Sequence, residues 1–277
     1  MMRKIAKIYP GQPVLEGAGV KLSRIFAHED VVDLDPFLLF DFFKSDNPDD
    51  YIKGFPWHPH RGIETITYLI EGALEHGDSL GNKGLIEPLG CQWMTAGKGI
   101  LHQEMPQPTK HLLGAQLWLN LPKAHKMTEP AYRDITVDDL KIVEDANAHV
   151  KVMAGQYGGT RGPVSGTYVD PVYLDVTINL GGTFTYQLPG EDTVFLLLLE
   201  GRLMIAGEEV GTDDSRGVLL EKGADIEISS DQGARFLLIA GRPLGEPIAW
   251  GGPIVMNTQE ELRHAFAQIR NGTFITK

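Results

Sequence analysis

Four side chains in the first half of the chain have the types and spacing of a metal site. His58 and His60 stand at i and i+2 in the run Trp57-His58-Pro59-His60-Arg61-Gly62, and His102 and Glu104 repeat that spacing further on. On an extended strand such pairs share a face, so two strands meeting inside a barrel bring imidazoles and a carboxylate to one point. Neutral nitrogens with one anionic oxygen form a borderline set that suits Fe(II), Mn(II), Co(II), Ni(II), Cu(II) or Zn(II), so ligand softness does not choose the ion. An ion preferring six ligands would keep positions open for water, dioxygen or substrate. Glu64 competes for the carboxylate role, because it shares strand parity with His58 and His60.

The elements that must hold these residues are strands. Gly 32 and Pro 17 are spread along the whole chain, a density that interrupts helices and suits short strands joined by tight turns. Runs rich in β-branched, aromatic and leucine residues recur at 65–70, 114–121, 173–179, 194–199 and 235–239. YLIEGAL at 68–74 is echoed by LLLEGRL at 197–203, which indicates an internal duplication into two β-domains. DDLKIVED, 138–145, is read as a helical turn or a linker near the boundary. Within this frame two arguments favour Glu104 over Glu64. Glu104 pairs with His102 as His58 does with His60, whereas Glu64 lies four residues past His60, roughly 13 Å along a strand at about 3.3 Å per residue. Thr258 to Asn271 breaks the strand pattern: Leu262, Ala265, Phe266 and Ile269 follow a helical period, Thr258 and Glu261 have capping-box spacing, and Gly272 is a C-terminal stop.

Aligning the second copy on Gly72/Gly201 and Gly90/Gly223 places Gln187, Pro189, Arg235 and Leu237 where the first has His58, His60, His102 and Glu104. No ligand type survives there, so one metal per chain is expected.

Composition bounds the rest. The 277 residues carry 25 Lys+Arg against 37 Asp+Glu, a net charge of −12 that argues against direct binding to nucleic acid or anionic lipid. No apolar run reaches the roughly 18 residues of a membrane span. The opening MMRKIAKIYPGQ has no apolar stretch of the secretory kind. Cys91, the one cysteine, excludes an intramolecular disulfide and a multi-cysteine zinc site. A cytoplasmic protein is expected.

The stretches HPHRGIETITYLIEG (58–72) and QWMTAGKGILHQEMP (92–106) closely resemble the pirin family, of the cupin superfamily. GAQLWLNL (114–121) and GRPLGEPIAWGGPIVMN (241–257) resemble later pirin blocks. The resemblance implies an all-β chain of two tandem cupin-like barrels with a C-terminal amphipathic helix. The barrels would occupy 1–140, which binds metal, and 141–277, which lacks the ligands and ends in the helix. It implies one divalent ion, Fe(II) foremost, on His58, His60, His102 and Glu104, with Glu64 outside the shell. It further implies a quercetin 2,3-dioxygenase-like activity on flavonols. Glu104 is the candidate catalytic carboxylate, the general base for the substrate hydroxyl, with Glu64 the alternative. The alternative it implies is a metal- or redox-sensing regulatory protein that binds a transcription factor or a metabolic enzyme.

Other residues read more plainly. Phe55, Trp57, Met94, Leu101, Met105 and Trp118 are candidates for an aromatic pocket wall, each with barrel core as the simpler reading. His76 and Asp78 read as solvated loop, while His28, His111, His125, His149 and His264 stand singly as structural or exposed groups. Cys91 reads as a small buried residue. Gly97-Lys98-Gly99 lacks the spacing of a phosphate loop.

Overall fold

In the computed structural model, which describes residues 1–211 and 217–275, each of the strand-like runs lies in a strand, apart from the final residue of 114–121 and of 173–179. The first twelve strands are β1 (Ile5–Tyr9), β2 (Gln12–Glu16), β3 (Val20–Phe26), β4 (Phe37–Ser45), β5 (Phe55–His60), β6 (Ile63–Glu71), β7 (Leu74–Asp78), β8 (Lys83–Ile86), β9 (Cys91–Thr95), β10 (Ile100–Pro106), β11 (Leu112–Asn120) and β12 (Ala131–Ile135). They separate because glycine turns stop them: Gly72 and Gly97 sit at φ +100° and +49°, in the left-handed region that residues with a Cβ rarely adopt.

The chain divides into two units, each with its own barrel-like sheets. One comprises residues 13–29, 37–137 and 244–277. Its larger sheet runs β12-β9-β6-β11-β4-β3-β2 and its smaller one β5-β10-β7-β8. Part of its interior is an apolar cluster of Val20, Leu22, Phe43, Leu69, Leu74 and Leu112, all buried. The other unit comprises residues 1–12, 30–36 and 138–243. Its main path runs β1, Gly217–Leu220, Thr193–Ile205, Ala234–Gly241, Val172–Ile178, Ala148–Ala154 and Lys141–Glu144. That order matches the first unit's larger sheet strand for strand. Its interior is filled by Val150, Leu174, Phe184, Leu196, Phe236 and Leu238 among others.

This pairing corrects three sequence expectations. Residues 141–144 of DDLKIVED form a strand against Ala148–Ala154, because Ile142 and Val143 complete the sheet edge. The strand matching β10 is Asp225–Ser230, which pairs Gly182–Gln187 as β10 pairs β5. Ile226 and Ile228, both buried, therefore occupy the region of His102, and Arg235 instead binds Asp175 at 2.9 and 2.7 Å on the strand matching β11. The Gly90/Gly223 alignment misled because the strand it skips, Gly217–Leu220, precedes Gly223 while its counterpart Cys91–Thr95 follows Gly90. Third, the chain does not divide at one cut: residues 1–12 group with the later barrel and 244–277 with the earlier one.

The C-terminal helix, Gln259–Arg270, begins at Thr258 with the capping box formed in both directions, the reciprocal bonds satisfying donors at the helix start. Leu262 and Ala265 are buried, with Phe266 and Ile269 packed against Ala249, Ile254, Met256 and Phe274. No helix among the described residues is long and apolar enough to cross a membrane.

Candidate metal centre

Register explains how the histidines meet. On β5 and β10, His58 lies opposite His102 and His60 opposite Ile100, so His60 is diagonal to His102 on the same face. Ring centroids are 4.8 Å apart for His58–His60, 4.4 Å for His58–His102 and 5.0 Å for His60–His102. One ligand atom from each lies within 4.8 Å of the others.

Hydrogen bonds fix the ring tautomers. His58 Nδ1 is 2.8 Å from the Pro56 carbonyl and His60 Nδ1 is 3.2 Å from the Pro253 carbonyl. A carbonyl only accepts, so both Nδ1 atoms carry the proton and both Nε2 atoms present lone pairs. Those two Nε2 atoms are 3.0 Å apart. His102 is wholly buried and neither of its ring nitrogens has a hydrogen-bond partner. Burial and the neighbouring His58 push His60 down to about 3, and burial with the surrounding histidines holds His102 well below the usual range, so both rings are neutral at physiological pH. Two converging Nε2 lone pairs beside the unpartnered His102 ring are the donor set that a first-row divalent ion takes.

Glu104 follows His102 on β10, with a register shift on the β5 side that sets it opposite Phe55. Its carboxylate is buried and accepts from Thr67 Oγ1 at 3.0 Å and from Gln116 Nε2 at 3.0 and 2.9 Å. It lines the same cavity as His58 and His60 but is outside the tight three-histidine group. Glu64 is elsewhere on β6, accepting from Thr95 Oγ1 at 2.6 Å. Burial pushes its carboxyl upward, and its second oxygen has no hydrogen-bond partner.

The cavity has a volume of about 540 Å³, within the range of small-molecule sites. Phe55 and Trp118 line it, as do Leu39, His28 and Trp250. Trp118 stands edge-on to His60 with centroids 4.9 Å apart, and 5.9 Å from Trp250. Of the other wall candidates Met94 is core at 0% exposure, Trp57 is 54% exposed, and Leu101 and Met105 are not among the lining residues. His28, set aside as a lone histidine, lines the cavity with its ring 5.3 Å from Trp250.

Two features escaped sequence reasoning. His76 and Asp78, expected in solvated loop, are buried on β7 opposite Glu104 and His102 respectively. His76 stacks on Tyr132 at 4.6 Å and its centroid is 5.5 Å from that of His102. Asp78 accepts from the Leu80 and Asn82 backbone and from Asn82 Nδ2, which ties the following turn down. The i, i+2 spacing of His76 and Asp78 was the available signal. The second feature is the C-terminal segment: Pro253 holds His60, while Lys126 Nζ donates to the carbonyls of Gly62 at 2.7 Å and Val255 at 3.0 Å. Arg61 donates to Gln268 Oε1 at 2.6 Å and to the Phe274 carbonyl at 3.2 Å. Nothing local to the 250s marks them as part of a site formed two hundred residues earlier.

Residues 19–119 match the family model described as Pirin, and residues 173–275 match the Pirin C-terminal cupin domain. A pirin-like protein of Caulobacter vibrioides is 42% identical over 276 residues, 99% of each chain. The chain belongs to the pirin family. Among solved pirin-type folds, a quercetin 2,3-dioxygenase from Acinetobacter baumannii superposes with a TM-score of 0.90 at 30% identity, covering 99% of both chains. A bacterial pirin from Escherichia coli in complex with nickel(II) shares the fold at a TM-score of 0.66 and 21% identity, covering 87% of this chain and 99% of that one. This pirin is therefore a bicupin with a site fit for one divalent ion in its histidine-bearing barrel.

Proposed function

We propose that this pirin is a metal-dependent dioxygenase that opens the heterocyclic ring of flavonols, with His58, His60, His102 and Glu104 holding one divalent ion, Fe(II) foremost. The observation that carries the reading is the convergence of two tautomer-locked Nε2 atoms, on histidines that line an aromatic-walled cavity, with the unpartnered ring of the buried His102 behind them. The likeness to a quercetin 2,3-dioxygenase over nearly the whole chain supports the reaction class. A bound divalent ion supplies Lewis acidity that lowers the pKa of a substrate hydroxyl and an open position for dioxygen.

The protein's own groups do the rest. Trp118, Trp250 and Phe55 offer faces and edges to a flat ring, and Leu39 excludes water beside them. Pro56 and Pro253 keep His58 and His60 from rotating, so the donor geometry is set before substrate arrives. Glu104 is the acceptor for the flavonol hydroxyl proton, with Gln116 and Thr67 holding its oxygens toward the site. The test is flavonol cleavage with matched oxygen uptake by Fe(II)-loaded and metal-free protein. Stoichiometric uptake by the loaded form alone supports the reading; a loaded protein that leaves flavonol intact overturns it.

A further inference from the structure

The polar groups on the strands beyond Gln116 take no part in that mechanism, yet they line the same cavity. In the larger sheet Thr67 lies opposite Gln116, Gln116 opposite Asp41, and Asp41 opposite Arg24. Residues directly opposite in antiparallel strands share a face, so this is one polar row running from the carboxylate contact of Glu104 across β11, β4 and β3. Gln116 and Arg24 are separated by two strand spacings, about 10 Å. That span suits a flat molecule of several rings rather than a small acid.

The row ends in a built ionic group. Arg24 donates through Nε and Nη2 to both oxygens of Asp41, each at 2.8 Å, and through Nη1 to Glu16 Oε1 at 2.7 Å. Asp41 is buried at 6% exposure, and both its oxygens are occupied. A guanidinium has five N–H groups, so two remain after these three bonds. Glu16 keeps a second oxygen, with its side chain 40% exposed. Two carboxylates against one guanidinium leave the group net negative, which disfavours an anion and favours a hydroxyl donor.

We propose that Glu16 and Arg24 form a recognition subsite for a ring bearing adjacent hydroxyls, Glu16 accepting from one hydroxyl while a free Arg24 N–H donates to the oxygen of its neighbour. This rests on the flavonol reading above and adds which flavonols the cavity prefers: those whose pendant ring is a catechol. Asp41 is a positioning residue, holding the guanidinium in plane.

The test compares quercetin, which carries the catechol, with galangin, the same flavonol without hydroxyls on that ring. Binding is followed without oxygen by quenching of tryptophan fluorescence, on Zn(II)-loaded and on metal-free protein, since Trp118 and Trp250 line the cavity. Wild-type protein should hold quercetin tighter than galangin by tenfold to about a hundredfold, the effect of a hydrogen bond to a charged group. Glu16→Gln should bring the ratio close to one while galangin binding changes by less than about twofold. If wild-type protein binds both flavonols equally, the subsite is wrong and the flavonol reading stands. If Glu16→Gln retains the preference, the assignment to Glu16 fails. If neither flavonol binds, both readings fall. The wild-type ratio needs no variant, so a poorly folding Glu16→Gln would not rescue the proposal.

Discussion

Changing Glu104 to Gln keeps a side chain of the same shape and removes one anion from a buried site. The new amide would also set an NH₂ group against Gln116 Nε2, which now donates to both carboxylate oxygens. Glu104→Gln should weaken metal binding at least tenfold and abolish flavonol cleavage, as titration with a competing chelator and an oxygen electrode would show. Glu64→Gln should behave differently. Burial favours the neutral acid at Glu64, and Gln is its near-isostere, so stability should change by less than about 1 kcal/mol and metal should be retained. Loss of metal from Glu64→Gln with retention in Glu104→Gln would reverse the assignment. The histidines set a pH dependence whose sign follows from linkage. The His60 pKa falls from 6.5 to about 3 in the folded chain, so between those values the unfolded chain binds the extra proton. Metal-free protein should therefore lose stability on acidification below about pH 6.5, by about 1.4 kcal/mol per pH unit for each such ring. Urea midpoints from pH 7 to 4 should fall more steeply for wild type than for His60→Asn; parallel curves would remove His60 from the account. These residues were legible in the sequence because strand periodicity puts i and i+2 on one face. The burial of His76 was not, since one alternating pair beside a glycine looks the same on a loop as on an inner strand.

At the scale of elements, the site depends on a contact between the β5–β6 turn and the segment 253–256. Gly62 has φ +78°, and a Cβ built there would lie 1.9 Å from the Val255 carbonyl oxygen. Gly62→Ala should push that segment away, loosen the Pro253 carbonyl from His60, and lower metal affinity by roughly tenfold with a loss of about 2 kcal/mol or more in stability. Hydrogen exchange over 249–257 would report the displacement directly, and unchanged exchange together with unchanged affinity would contradict it. The strands and the helix were readable because β-branched alternation and a capping box are local signals. The partners of the helix were not: its apolar stripe says that Leu262 and Phe266 are covered, not that Ala249 and Phe274 do the covering. The mistaken alignment of Arg235 with His102 has the same origin, because turn motifs recur while the number of strands between them differs.

For the whole molecule the two barrels differ in what fills them. Phe184, Phe236 and the surrounding aliphatic residues pack the later barrel as a hydrophobic core, and the earlier one keeps a polar row and a cavity. Phe236→Ala should therefore destabilise the chain by about 3–5 kcal/mol in chemical denaturation. Metal analysis should find one equivalent per wild-type chain and none after His58→Ala with His60→Ala; two tightly bound equivalents would contradict the assignment. Repetition of the Glu-Gly hairpin made the two-barrel plan readable. The exchange of chain ends between units left no local mark, because β1 looks like an ordinary strand, and the C-terminal segment like an ordinary hairpin and amphipathic helix, wherever they pack. That exchange has a consequence in time. The His60 ring is locked by a carbonyl 193 positions further along the chain. A ribosome therefore exposes all four proposed ligands long before it has made the residue that fixes one of them. The donor set is complete only once the segment around Pro253 has been made and has packed, so full metal affinity is a late event in the chain's synthesis.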